Sequence, residues 1–142
     1  MKTLVVYHSR TGNTRKVAER IARALKADLD EIVDKSPKKG MFMLGMSAFF
    51  NMKASIETKK DSSSYDLVVI GTPVWAGRVC PPVKTYISKN TFKRVAFFCT
   101  CDGDPGKVFE QMTSLVGHPL ATVEIINNKR SKDIYHFCRH LR

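Results

Sequence analysis

Acidic residues are scarce in this chain of 142 residues: 13 Asp and Glu stand against 24 Lys and Arg, a formal net charge of +11. Such an excess attracts something negative, whether nucleic acid, anionic lipid, an acidic protein or an anionic cofactor, and does not choose among them. Long apolar runs are missing too. No stretch approaches the ~20 residues that a membrane-spanning helix needs. The opening Met1-Lys2-Thr3-Leu4 enters a strand-like run before a secretion signal could fit, so a cytoplasmic protein is expected. The four cysteines, Cys80, Cys99, Cys101 and Cys138, match neither zinc-ligand spacing nor a disulfide framework. In a reducing cytosol they read as free thiols, mostly buried. A Walker A loop, a G-x-G-x-x-G turn, zinc-finger spacing and RNP-like aromatics are all absent, which disfavours nucleoside triphosphate, NAD and nucleic acid as ligands.

What is present is an alternation of apolar and amphipathic segments. Strands are expected at 3–7, 30–33, 65–70, 94–99 and 120–126, the third closed by Gly71. Helices are expected at 13–26, 81–89, 105–116 and 131–141. In the first, Val17, Ala18, Ile21, Ala22 and Leu25 form a stripe at helical spacing. In the second, prolines fill the first turn. Strands separated by helices imply a parallel sheet covered on both faces, and right-handed crossovers leave few topologies. The expectation is one domain over residues 1–142, an α/β doubly wound five-stranded parallel sheet of order 2-1-3-4-5. Ligands in such a sheet lie outside the carboxyl ends of the strands, at the switch between the first and third. The Met- and Phe-rich stretch from Met41 to Met52, flanked by lysines, reads either as a helix on the sheet or as a docking or weak membrane-surface segment.

Three segments follow the ends of the first, third and fourth expected strands. In Ser9-Arg10-Thr11-Gly12-Asn13-Thr14, the glycine lets backbone approach a ligand. The hydroxyls and amide supply donors, and the next helix aims its amides and dipole at the same place. That suits a phosphate, although an ordinary capped turn has the same composition. In Thr72-Pro73-Val74-Trp75-Ala76-Gly77, the chain's one tryptophan is expected on a loop, offering a flat face to a planar ring or plugging the core. Cys99-Thr100-Cys101-Asp102-Gly103 is expected as a polar loop closing the crevice. Its Cys-x-Cys pair gives no sign of a lowered thiol pKa.

A phosphate turn, a flat ring platform and a closing loop describe a phosphorylated aromatic cofactor, and here the chain resembles the flavodoxin-like FMN proteins, among them the short-chain flavodoxin-domain family. The resemblance rests on "SRTGNT" and on "YDLVVIGTPVWAGRVCPPVKTYI" from Tyr65 to Ile87. It implies that residues 9–14 enclose the FMN phosphate and that Trp75 lies against the isoalloxazine. It further implies that Thr72 to Gly77 contact the ribityl chain and ring edge, and that Cys99 to Gly103 border the pyrimidine end. The implied function is electron transfer between redox partner proteins, with no catalytic side chain and no metal. The alternative on the same fold is an FMN-dependent oxidoreductase of quinone, NAD(P)H or protoporphyrinogen type.

Two departures from the family pattern bear on function. The third loop carries no aromatic residue to cover the outer ring face, which suits a protein that admits a quinone or other small acceptor. Flavodoxins are typically acidic, whereas this chain is basic. Its partner is therefore expected to be acidic, and its potential for full reduction less negative than in acidic relatives.

Overall fold

Alternation of side chains along each strand decides the architecture, because every central strand is apolar on both faces. The computed structural model describes residues 1–35, 54–127 and 131–142. Its main sheet contains β1 (Thr3–Tyr7), β2 (Asp28–Glu31), β5 (Leu67–Trp75), β7 (Val95–Cys101) and β8 (Thr122–Ile126), paired in parallel in the order β2-β1-β5-β7-β8. This is the expected 2-1-3-4-5 topology, with its switch point between β1 and β5.

Helices α1 (Asn13–Leu25) and α4 (Ser131–Leu141) cover one face, and α2 (Pro81–Lys89) and α3 (Val108–Val116) the other. Val5, Leu67, Val69, Ala96 and Phe98 point toward α1 and α4, where they meet Val17, Ile21, Phe137 and Leu141. Their neighbours Leu4, Val6, Val68, Ile70 and Phe97 point the other way, onto Val83, Tyr86, Val108 and Met112. Burial of each such side chain contributes roughly 1.5–3 kcal/mol of gross stabilisation, so a one-residue register slip would exchange two complete cores.

The carboxyl ends of three strands differ from expectation. β5 does not stop at Gly71 but runs through Pro73 to Trp75. Glycine is needed there because the ring of Phe98, its partner on β7, fills the space a side chain would take: a Cβ on Gly71 would lie 2.0 Å from that ring. β7 likewise extends through Cys101, so Cys99, Thr100 and Cys101 are strand residues rather than loop. The second strand ends at Glu31, and Val33–Asp34 (β3) instead pairs antiparallel with Ile56–Glu57 (β4). The buried Asp30 carboxylate fixes the returning chain there by accepting from the backbone amides of Lys59, at 3.0 and 3.2 Å, and Lys60, at 2.8 Å. The Met41–Met52 segment lies outside the described residues. Among the described residues no helix is long and apolar enough to cross a membrane.

Candidate functional site

The turn between β1 and α1 is shaped by its backbone. Gly12 adopts φ +96° just before the helix, a left-handed conformation that costs other residues ~1–2 kcal/mol. Its N–H donates to Ser9 Oγ at 3.0 Å, and its carbonyl accepts the first helical bond from Lys16. No side chain caps this helix start, so the first-turn amides and the positive dipole end are presented toward the strand ends. The Thr14 hydroxyl, buried, lies 2.7 Å from the Thr100 hydroxyl of β7 and ties the turn to the sheet. Arg15 is held aside by a two-pronged pair with Glu31, at 2.8 and 2.9 Å, and by donation to Tyr7 Oη at 3.2 Å.

The second wall comes from the end of β5. Trp75 is not on a free loop: it pairs with Arg78 in a hairpin formed with β6 (Arg78–Val79), closed by Ala76 and Gly77, both at positive φ. It packs against the core on the α2/α3 side, meets the ring edge of His8 at 6.0 Å, and has the Arg10 guanidinium over its ring, 5.9 Å from the centroid. The half-buried indole packs on the core and also lines the cleft. The hairpin tip is braced from the third segment. Lys107 N–H donates to Gly77 O at 3.1 Å, and a Cβ on Gly106 would lie 2.7 Å from the Gly77 Cα.

These parts enclose a cleft of about 270 Å³ lined by Arg10, Thr11, Asn13, Thr14, Pro73, Val74, Trp75, Thr100, Cys101 and Asp102, with Ile125 of β8 added. Sequence reasoning missed Ile125, whose one signal was its place at the carboxyl end of an apolar strand. Other expected site residues act behind the lining. Ser9 and Gly12 shape the turn, and Ala76 and Gly77 shape the hairpin. Gly103 accepts, through its carbonyl, from Cys101 Sγ at 3.3 Å.

Thr72 and Cys99 sit in the interior. The Thr72 hydroxyl donates to the Pro73 carbonyl at 2.7 Å and accepts from Cys80 N–H at 3.3 Å, joining β5 to the start of α2. Cys99 faces the core, where burial pushes its thiol far up. Burial also raises Cys101, which is only partly covered, and lifts Cys80 to about 12. These thiols stay protonated at neutral pH, a poor basis for redox work of their own.

A larger groove, about 710 Å³, runs along the free edge of β8 beside Phe109, His136 and His140. Glu124 and Asp133 also line it, an unfavourable setting for an anion. It receives none of the three strand-end segments. Among the described residues no His, Cys, Asp or Glu cluster could hold a metal.

Comparison with known proteins agrees with this geometry. The flavodoxin family model matches residues 2–133. The chain belongs to the flavodoxin family. A Bacteroides eggerthii protein provisionally classed as a flavoprotein superposes with TM-score 0.80 at 26% identity, over 97% of this chain and 96% of that one. A flavoprotein from Lactobacillus acidophilus, solved in complex with FMN, gives TM-score 0.72 at 26% identity, over 87% of this chain and 92% of that one. An NAD(P)H dehydrogenase (quinone) from Cupriavidus metallidurans is 30% identical over 93 residues, 62% of this chain. The chain spans 46% of the length of that relative.

Proposed function

We propose that this protein binds FMN non-covalently and transfers electrons between redox partners. The observation that carries the reading is the meeting, at the switch point of the sheet, of an uncapped helix start and the chain's one tryptophan across a single cleft. The donor set suits the cofactor: first-turn amides, the Thr11 and Thr14 hydroxyls and Arg10 for a phosphate, and Trp75 with Pro73 and Val74 for a planar ring. The Lactobacillus relative solved with FMN supports the same assignment.

Bound FMN would supply the one- and two-electron chemistry. The protein's own tasks are holding and tuning. Thr14, buried and bonded to Thr100, is pre-set to donate toward an anion. Trp75, held by the hairpin and the core, fixes one wall. Thr100, Cys101 and Asp102 border the opposite side of the cleft. The chain's positive excess favours accumulation of negative charge on the ring and recruits acidic partner proteins. The four free cysteines support a reducing, cytoplasmic setting.

A visible spectrum of the purified protein tests the assignment. Flavin bands, or their appearance on adding FMN, are expected, and a colourless protein that refuses FMN would overturn it. A second reading, an FMN-dependent oxidoreductase acting on NAD(P)H and a quinone, is favoured by the Cupriavidus relative and by the absence of an aromatic residue from the third segment. Steady-state oxidation of NAD(P)H with a soluble quinone separates the two: a carrier turns over almost none.

A further inference from the structure

Arg10 belongs to the anion turn by position and to the aromatic wall by contact. Its guanidinium carbon lies 5.9 Å from the centroid of the Trp75 ring, within the range of a cation–π interaction, and both residues line the same cleft with Thr11, Asn13 and Thr14. The side chain is exposed, and among the described residues no carboxylate pairs with it. Its neighbour Arg15 differs: Glu31 and Tyr7 hold that guanidinium in place. Of the two arginines at the turn, only Arg10 is placed to change partners.

We propose that Arg10 couples the two halves of the cleft: its guanidinium exchanges the Trp75 ring for phosphate oxygens when an anion enters the turn, so that phosphate capture uncovers the aromatic wall. This rests on the reading of the cleft as a site for a phosphate joined to a planar ring. The exchange has a clear direction. The ring offers only a quadrupole, to a solvated cation. A phosphate offers full charge and paired oxygens that match the guanidinium fork. A ligand carrying both groups then gains twice, because its phosphate clears the surface its ring needs. A ring without a phosphate must displace Arg10 unaided. Arg10 is thus a positioning residue that favours the phosphorylated flavin over the unphosphorylated one.

The sole tryptophan makes this measurable without any turnover assay. In the full chain stripped of FMN, acrylamide quenching of Trp75 emission is followed while inorganic phosphate is titrated in, with sodium chloride holding ionic strength constant. Phosphate binding is followed in parallel by ³¹P NMR. The expected result is a saturable rise in quenching that tracks phosphate occupancy. In Arg10→Gln the rise is lost, because quenching is already high without phosphate. Arg10→Lys, which keeps the charge but not the broad guanidinium over the ring, should start from high quenching while still binding phosphate. Phosphate binding with no change in quenching overturns the coupling, as does an Arg10→Gln variant that responds like the parent. A protein that takes up FMN yet shows no Arg10-dependent response defeats the coupling alone. One that refuses both phosphate and FMN defeats the reading of the cleft as well.

Discussion

The hydroxyls of Thr14 and Thr100 are 2.7 Å apart in the interior, joining the first turn of α1 to β7 across 86 positions of sequence. Each hydroxyl has one proton and two acceptor sites. A phosphate held near Thr14 would accept, so Thr14 would give its proton to the anion and accept from Thr100. Thr100→Val removes that support, and one hydroxyl from the cleft wall, while keeping the size of the side chain. It should weaken FMN by about 1 kcal/mol, roughly fivefold in Kd, while leaving riboflavin, which has no phosphate, unaffected. Parallel fluorescence titrations with the two flavins check this; equal losses would place the role of Thr100 elsewhere.

Gly71 and Phe98 give a second prediction. A Cβ at position 71 would lie 2.0–2.5 Å from three atoms of the Phe98 ring. Gly71→Ala should therefore destabilise the fold by about 1–3 kcal/mol, read as a lower urea midpoint. Phe98→Leu in the same chain should recover part of that loss, a coupling that a double-mutant cycle isolates.

These residues also mark how far the sequence could be read. The topology was legible because Val5, Val69 and Ala96 alternate with Val6, Ile70 and Phe97 in short apolar runs between helical stripes. The ends of β5 and β7 were not. Gly71 reads as a terminator in isolation, and only the ring of its partner Phe98 explains a glycine in mid-strand. Thr100 and Cys101 read as loop for the same reason: their place in β7 depends on pairing with Ile125 and Ile126 of β8, distant in sequence. Within the site, "SRTGNT" carried its chemistry openly, since its geometry is local. The inward turn of Thr72 toward Cys80 and the arrival of Ile125 depend on packing and had no such signature.

Loop bracing yields a third test. A side chain on Gly106 would meet the Gly77 backbone at 2.7–2.8 Å, and Gly106 itself sits at φ +61°. Gly106→Ala should cost at least ~1–2 kcal/mol from the backbone alone and should weaken FMN by displacing the hairpin that carries Trp75. A Cβ on Gly103 would meet nothing within 4 Å, and its φ is not positive, so Gly103→Ala should stay within ~0.5 kcal/mol of the parent. Thermal melts and FMN titrations of the pair decide the matter.

Stability should fall in alkali. Burial lifts Cys80 and Tyr86 to about 12, from ordinary values near 9 and 10. The unfolded chain releases these protons first, so the stabilisation is complete below pH ~9 and is lost as pH rises toward 12. Urea midpoints should be insensitive to these groups between pH 6 and 8 and should drop above 9. Cys80→Ala should shrink the drop. For the same reason alkylation at pH 7.5 should be slow, with Cys101, the one thiol that is not buried, reacting first.

The net charge of +11 bears on redox behaviour. A positive charge ~10 Å from the ring, at an effective dielectric of ~20–80, favours a reduced anionic flavin by ~0.4–1.7 kcal/mol, or ~20–70 mV per electron. The second one-electron potential should thus be less negative than in acidic flavodoxins and should fall as salt is added. Spectroelectrochemical titration at two ionic strengths reads both effects, and a potential equal to or below those of acidic relatives would refute the argument.

The clasp around Asp30 has a consequence for modularity. Lys35 N–H bonds to Ser55 O, β3 lies beside β4, and Asp30 gathers the amides of Lys59 and Lys60. Residues 33–35 and 55–57 thus lie side by side, running in opposite directions. Antiparallel strands set this way can be joined by a turn of two to five residues. From the sheet's standpoint the clasp is a graft point, where such a turn would close β3 onto β4 without rethreading the strands that carry the cleft.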